Sequence, residues 1–413
     1  MEYNRWQVVL GALLIQMSLG AIYIYSVFRP ALAARFPDWS AADLALPAQM
    51  VLAVFAASMI ISGKLQDKIG PRKTALLGAA FLLVGMFVAA KSQTLAQFVL
   101  GFGVLGGIGI GAAYVCPIAA CAKWFPDKRG FITGLAVAGF GAGGMIFAPL
   151  ASYFIAWMGI MAALFYLGLI YFFAIAVGAM LLKIAPENYC PAGYSPPIVA
   201  ATAKVNFSTK EMIKTKKFGI LWLTYFFGTA AGLMVIMNLT NIWQSIAAHQ
   251  KEIAAVAAAG TAAVMAVAAF NSAGRIVWGK ISDVAGREKT LILAFLICAA
   301  GLGFLVAIPP FWGFIAAAGA VGFCFGGFLA LYPAICADYF GAKNISANYG
   351  ALFAAYGAGG LFGPWLAAGL SQTKIIEHQL ETTSYANPLF AVAALCLAAS
   401  FAIFHFLKPE PRR

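Results

Sequence analysis

The sequence predicts an all-α membrane protein with twelve transmembrane helices in two pseudo-symmetric six-helix bundles. The composition is the first reason: 63% of the 413 residues are hydrophobic and 10% are charged, whereas soluble domains are about 45–50% apolar and about 25% charged. The second reason is the number of apolar segments, each close to the roughly 20 residues that a helix needs to cross a bilayer. The third is an internal repeat that relates the two halves of the chain.

The apolar segments follow one another along the whole chain. None shows the two-residue alternation of a membrane β-barrel, so we expect helices. The first segment follows a single early arginine, Arg5, and has no small-residue cleavage site, so we interpret it as a retained helix and not a signal peptide. The twelve predicted spans are 8–28, 46–65, 74–91, 96–123, 131–157, 160–183, 218–246, 253–279, 290–308, 311–337, 347–371 and 387–407.

One long polar interval divides the twelve spans into six and six. Residues 184–217 are rich in proline and lysine, which is typical of a solvated linker at a membrane surface. We therefore predict an N-terminal bundle over residues 1–183, a cytoplasmic linker over 184–217 and a C-terminal bundle over 218–413.

The positive charges predict the orientation. The chain has 27 Lys and Arg against 14 Asp and Glu, a net charge of +13. If both termini are cytoplasmic, 21 cations lie in inner segments and five in outer loops, which satisfies the positive-inside rule. The basic balance therefore indicates topology and not a nucleic-acid partner. We expect a multi-pass protein of the bacterial inner (cell) membrane with cytoplasmic termini.

The loops after spans 2 and 8 repeat each other. Six identities recur within twelve positions at an offset of 216 residues, and Phe140–Gly144 recurs as Tyr356–Gly360 at the same offset. Two parallel halves predict a site between them near mid-membrane. A loop glycine permits close helix approach, and a loop aspartate can face a helix N-terminus or a cation. We interpret the loops as conformational switches and not only as basic topology signals; their residues are Gly63, Asp67, Lys73, Gly279, Asp283 and Lys289.

These loops resemble a known motif. G-K-x-x-D-x-x-G-[PR]-x-K after spans 2 and 8, with twelve spans and a central linker, resembles the major facilitator superfamily over essentially the whole chain. The segments Tyr23–Phe28, Trp124–Gly130 and Asn348–Gly350 resemble the oxalate/formate antiporter family, which is related to the monocarboxylate transporters. The resemblance implies a secondary transporter of small organic anions, in which the two halves rock around a central site.

Arg275 is the one charge that we place inside a span. An intramembrane arginine costs about 2.5–3.5 kcal/mol or more, and no carboxylate of the sequence is placed to pair with it. A substrate carboxylate would match the paired donors of the guanidinium, and Asn271 lies on the same helical face. The alternative is that Arg275 reaches the inner surface, because Gly279 is only four residues away. The resemblance supports the ligand role, since both related families carry an arginine here, with an aspartate at the position of Asn271 in monocarboxylate transporters.

Tyr356 distinguishes the chain from the oxalate exchanger, which it resembles over Asn348–Gly350. That exchanger carries a lysine at this position, as a second cation beside the arginine. The resemblance therefore implies that the substrate of this chain has one carboxylate and not two. We also expect Tyr23, Tyr114, Tyr332 and Tyr356 to line the site, because a tyrosine combines an apolar ring with a hydroxyl. The alternative for each is an interfacial or packing role.

The remaining motifs indicate no enzyme, cofactor or metal. Residues 101–106 and 139–144 fit G-x-G-x-x-G but lie in spans, where small residues allow close helix packing. The seven cysteines form no C-x-x-C pair. We therefore predict a monomeric transporter for a small monocarboxylate such as L-lactate, with a proton as co-substrate and the lipid bilayer as its surroundings. Exchange of organic anions, and a membrane sensor without transport, remain open as alternatives.

Overall fold

A computed structural model describes residues 4–186, 189–191, 206–249, 256–307, 309–376 and 380–407. Each predicted span falls in helical structure within these ranges. Nine helices of the described part are long and apolar enough to cross a bilayer. The helices that contain the spans are Trp6–Leu19, Tyr25–Arg35, Ala41–Ile69, Pro71–Lys91, Leu95–Phe98, Gly106–Trp124, Arg129–Leu181, Lys216–His249, Val256–Ala285, Arg287–Val306, Phe311–Phe340, Ile345–Leu370 and Ala386–Phe406.

Spans 5 and 6 form one run of helix that is broken in the middle. The run Arg129–Leu181 contains Gly159 at φ 79° and ψ 165°, which is not helical backbone. A positive φ is accessible to glycine at little cost because it has no Cβ. The break lies where the sequence separates span 5 from span 6, so the long helix contains two of the predicted spans.

Two spans in the first half are irregular. Span 1 consists of the helix Trp6–Leu19, a 3₁₀ segment at Gly20–Ile24 and the helix Tyr25–Arg35. Span 4 contains a π-helix at Val99–Leu105 between Leu95–Phe98 and Gly106–Trp124. Apolar composition predicts that both segments are membrane helices, but it carries no signal for these changes in helical winding.

The connection between spans 11 and 12 contains the strands of the described part. Strand β1 (Gln372–Ile376) pairs antiparallel with strand β2 (Leu380–Ser384), with Gln372 opposite Ser384. The sequence analysis did not predict this pair of strands. The pair leaves the helical class of the protein unchanged.

The linker joins the structure near the start of span 7. Its described end forms a short helix, Thr209–Met212, which begins with a capping box between Ser208 and Glu211. Hydrogen bonds from the backbone and the hydroxyl of Ser208 hold the pKa of Glu211 below its usual value. Residues 192–205 of the predicted linker lie outside the described ranges.

The two halves meet along two pairs of helices, span 2 against span 11 and span 5 against span 8. Small residues allow these helices to approach closely. A Cβ on Gly63 of span 2 would overlap the Ser346 carbonyl, and a Cβ on Gly279 would overlap the Gly130 carbonyl. Both contacts lie at the end of the bundle that carries the repeated loops, which we call the basic end.

Candidate functional site

Arg275 lies in span 8 and is completely buried. Its Nε donates to Asn271 Oδ1 at 2.9 Å, one helical turn earlier. Its Nη1 donates to the carbonyl oxygen of Val137 in span 5 at 2.6 Å. The side chain is therefore directed back along its helix and across to the other half. It does not extend to the basic surface beyond Gly279, contrary to the alternative considered from the sequence.

The third nitrogen of the Arg275 guanidinium is available for a further hydrogen bond. Nη2 is buried and has no hydrogen-bond partner among the described residues. The salt bridges found in the described ranges do not include Arg275. Its Cζ lies over the ring of Phe140, 5.8 Å from the ring centroid. A buried cation without an anion is costly. A carboxylate that reached Nη2 would supply both the charge and the missing acceptor.

Aromatic side chains from both halves pack beside this arginine. The ring of Tyr114 lies 5.1 Å from both Phe55 and Phe140. Phe353 lies 5.1 Å from Phe55 and 5.4 Å from Tyr114, and Tyr356 stacks on Phe353 at 4.5 Å. We call these five residues the central aromatic cluster. It joins spans 2, 4 and 5 to span 11, so any movement of one half against the other must rearrange it.

The sequence analysis found two members of the cluster, Tyr114 and Tyr356, and missed its phenylalanines. A phenylalanine in an apolar span is indistinguishable by composition from one that faces lipid. One signal was present: Phe140 and Tyr356 are equivalent positions of the internal repeat. Their shared place in both halves could have identified Phe140 as a residue of the central site.

Tyr332 lies behind the cluster and does not face it directly. Its hydroxyl donates to Thr224 Oγ1 at 2.8 Å, and its ring stacks on Tyr225 at 4.1 Å. Tyr225 lies 6.3 Å from Phe353, with its hydroxyl 3.4 Å from that of Tyr349. In this structure Tyr225 is therefore the tyrosine between Tyr332 and the cluster, a residue that the sequence analysis did not select.

Asn271 and Tyr23 are the two remaining predicted ligands. Asn271 accepts from Arg275 Nε, so the amide orients the arginine in this structure. Tyr23 belongs to the 3₁₀ segment of span 1, but its side chain lies outside the described part of the chain, so its role stays a prediction.

The repeated loops connect the halves at the basic end. Asp67 Oδ2 accepts from the backbone N–H of Ala347 at 3.0 Å. Asp283 accepts from the backbone N–H groups of Gly130 and Phe131 at 2.9 and 2.8 Å. Each aspartate thus lies at the first turn of a helix in the other half, where a negative charge is favourable. This is the geometry that we expected for a loop aspartate; its role as a switch remains a prediction.

A network of charges at the same end was not predicted. Asp338 of span 10 accepts from Arg129 of span 5 at 2.8 Å and from Arg287 of span 9 at 2.9 Å, and Arg287 also pairs with Asp283 at 2.7 Å. In the first half, Lys123 lies 3.8 Å from Asp67. In the sequence, Lys123 precedes Trp124-Phe125 and Asp338 precedes Tyr339-Phe340. These similar aromatic pairs at the ends of spans 4 and 10 were the available signal.

The two predicted loop lysines contribute differently from the aspartates. Lys73 and Lys289 are exposed in the first turns of spans 3 and 9. Among the described residues, the ion pair that joins the halves is instead Arg129–Asp338. Lys123 pairs with Asp67, and Arg287 pairs with Asp283, each within its own half.

Comparison with known proteins agrees with this architecture. The model of the Major Facilitator Superfamily matches residues 8–274 and 221–413. The chain belongs to the major facilitator superfamily. A solved superfamily structure, that of the proton:xylose symporter XylE, has a TM-score of 0.74 at 15% identity and covers 98% of this chain and 96% of its own. That likeness concerns the fold, and it confirms the predicted all-α membrane class.

Proteins of similar sequence indicate which transporters of the superfamily this chain is related to. The oxalate:formate antiporter of Oxalobacter formigenes is 30% identical over 99% of this chain and 93% of its own length. Apicoplast pyruvate carrier 1 of Toxoplasma gondii is 26% identical over 86% and 73%. Human monocarboxylate transporter 11 is 27% identical over 96% and 81%. This superfamily member is thus a membrane-spanning transporter related to an oxalate:formate antiporter and to carriers of monocarboxylates, and no catalytic family is indicated.

Proposed function

We propose that this superfamily member is a secondary active transporter that moves a small monocarboxylate such as L-lactate, together with a proton, by alternating access. The observation that carries the proposal is Arg275, which is completely buried and has a donor group without a partner among the described residues. One guanidinium matches one carboxylate in charge and in geometry.

The surroundings of Arg275 favour a monocarboxylate over a dicarboxylate. Tyr356 is neutral and packs in the central aromatic cluster. Arg275 is the cation in contact with that cluster among the described residues. A dicarboxylate would therefore bury a second negative charge without compensation, which is strongly unfavourable. The aromatic rings suit a short alkyl group on a single carboxylate.

Charge balance favours coupling of substrate transport to the movement of a second ion. Moving a bare anion into a negative interior costs about 2.3 kcal/mol per 100 mV, so the carrier needs either a proton or a counter-anion. Among the described residues no carboxylate pairs with Arg275. We therefore propose that the proton travels with the substrate or through water near Asn271.

The contacts at the basic end support a moving carrier. Asp67, Asp283 and the pair Arg129–Asp338 tie the two halves together there. Because this end carries the positive loops, we assign it to the cytoplasm of a bacterial cell, with both termini on that side. In this assignment the structure is closed toward the cytoplasm, and release of the substrate requires these ties to break.

Transport into proteoliposomes tests the proposal. A pH gradient, acidic outside, should drive uptake of L-lactate with no anion inside the vesicles. Identity of 30% to the oxalate:formate antiporter favours anion exchange as the second candidate. Uptake that requires an internal counter-anion and ignores the pH gradient would establish exchange and exclude symport. Stoichiometric binding without any flux would instead indicate a sensor.

A further inference from the structure

A second polar group lies beside Arg275. Ser272 is three residues earlier in span 8, and Gly141 of span 5 is adjacent to both. A Cβ atom built on Gly141 would lie 2.6 Å from Ser272 Oγ and 3.4 Å from Arg275 Cζ. A Cβ at position 141 would therefore overlap the hydroxyl and touch the guanidinium, so both groups lie next to the same point of span 5.

The two groups have opposite hydrogen-bonding capacity. The hydroxyl of Ser272 donates to the carbonyl oxygen of Ala268 at 3.0 Å, so its proton is engaged and its oxygen retains acceptor capacity. Arg275 can only donate. Together they present a donor suited to a carboxylate and, next to it, an acceptor suited to a hydroxyl.

We propose that Ser272 is a specificity-determining residue that selects 2-hydroxy monocarboxylates over acids of similar size without a hydroxyl at C2. The inference rests on the proposed function, because it takes Arg275 as the partner of the carboxylate. With the carboxylate on Arg275 Nη2, the hydroxyl on the adjacent carbon donates to Ser272 Oγ. The absence of a side chain at Gly141 keeps span 5 from covering the two groups.

The same geometry disfavours two other classes of acid. A 2-oxo acid offers only an acceptor at C2, so Ser272 would have to release the Ala268 carbonyl in order to donate. An acid unsubstituted at C2 leaves the oxygen of Ser272 without a partner from the substrate. A site that is built to bind a hydroxyl discriminates against analogues that lack one.

Binding of L-lactate, pyruvate and propionate to the purified full-length protein tests this inference. The wild type should prefer L-lactate to propionate by about two- to tenfold, the usual contribution of one neutral hydrogen bond. Ser272→Ala should remove this preference by weakening L-lactate and leaving propionate unchanged. Retained propionate binding shows at the same time that the variant is folded. Ser400→Ala, at a buried serine of span 12, is the matched control and should change neither.

Gly141→Ala provides a second variant. The added methyl group should press on Ser272 Oγ and weaken L-lactate more than propionate. Gly303→Ala is the control, because a Cβ there has no neighbour within 4 Å. Equal binding of L-lactate and propionate by the wild type, or an equal loss of both in Ser272→Ala, would overturn the role of Ser272 while the monocarboxylate function stands. Failure of the wild type to bind any of the three acids would instead remove the proposed function itself.

Discussion

Replacement of Asp283 by asparagine should open the basic end of the carrier. Asp283 accepts two backbone N–H groups of span 5 at 2.9 and 2.8 Å and also pairs with Arg287. Asparagine keeps the size of the side chain, but it loses the charge and has one acceptor oxygen in place of two. A hydrogen bond to a charged group contributes about 1.5–3 kcal/mol. Losing one such bond and weakening the other should therefore destabilise the closed state by about 2–4 kcal/mol.

The equivalent aspartate of the first half accepts fewer backbone hydrogen bonds and has a longer ion pair, so its substitution should have a smaller effect. Asp67 accepts one backbone N–H, that of Ala347, and lies 3.8 Å from Lys123. We expect Asp67→Asn to shift the balance by about 1–2 kcal/mol. Because each 1.4 kcal/mol is a factor of ten, the two substitutions should differ by about one order of magnitude in the ratio of open to closed molecules.

Distances between spin labels across the basic end measure this difference. Lys73→Cys and Lys289→Cys place the labels at exposed positions in the two halves, and Cys190→Ser removes an exposed cysteine. Asp43→Asn is the matched control, because Asp43 caps its own helix through Ser40 and connects no two halves. A longer-distance population should grow most in Asp283→Asn, less in Asp67→Asn and not in the control. Equal effects of the two loop substitutions, or no effect of either, would refute this account of the basic end.

Three further predictions concern the central site. Tyr356→Lys places a second cation in the aromatic cluster. It should raise binding of oxalate relative to L-lactate by at least about tenfold, measured by competition between the two anions. An unchanged ratio would show that charge at this position does not select the anion. Tyr332→Phe removes the bond to Thr224 and should weaken L-lactate binding less than about tenfold, with a complete loss indicating direct contact with the substrate. Phe353→Ala should lower the free energy of unfolding by about 3–5 kcal/mol, which is measured as a reduced melting temperature. The control Phe390→Ala, at an exposed position of span 12, should change the melting temperature little.

The helical architecture was predictable because it depends on local and repeated signals. Apolar segments near the bilayer length identify the spans, and the offset of 216 residues identifies the two related halves. Gly159 even ends span 5 near the predicted position, since its positive φ separates two helices within one run. The paired strands Gln372–Ile376 and Leu380–Ser384 were missed because they lie in a connection between spans, where hydropathy gives no indication of strand pairing.

The site was predictable only where a residue was unusual in its surroundings. Arg275 stood out because a charge in a span is expensive. Phe55 and Phe353 did not stand out, because their role arises from contacts between helices distant in sequence. The same reason applies to Tyr332, whose hydroxyl proved to be bonded to Thr224 of another span. Pairing across the bundle, not composition, decides which of several similar tyrosines faces the centre.

Binding of L-lactate to Arg275→Ala tests the central claim most directly. A charge-assisted bond from Arg275 Nη2 to the carboxylate contributes about 1.5–3 kcal/mol, so the variant should bind L-lactate about ten- to a hundredfold more weakly than the wild type. Arg72→Ala, at an exposed arginine of the basic end, is the matched control and should bind normally. Thermal unfolding of both variants shows whether the fold is retained. A folded Arg275→Ala variant with the affinity of the wild type would contradict the assignment of Arg275 as the carboxylate site.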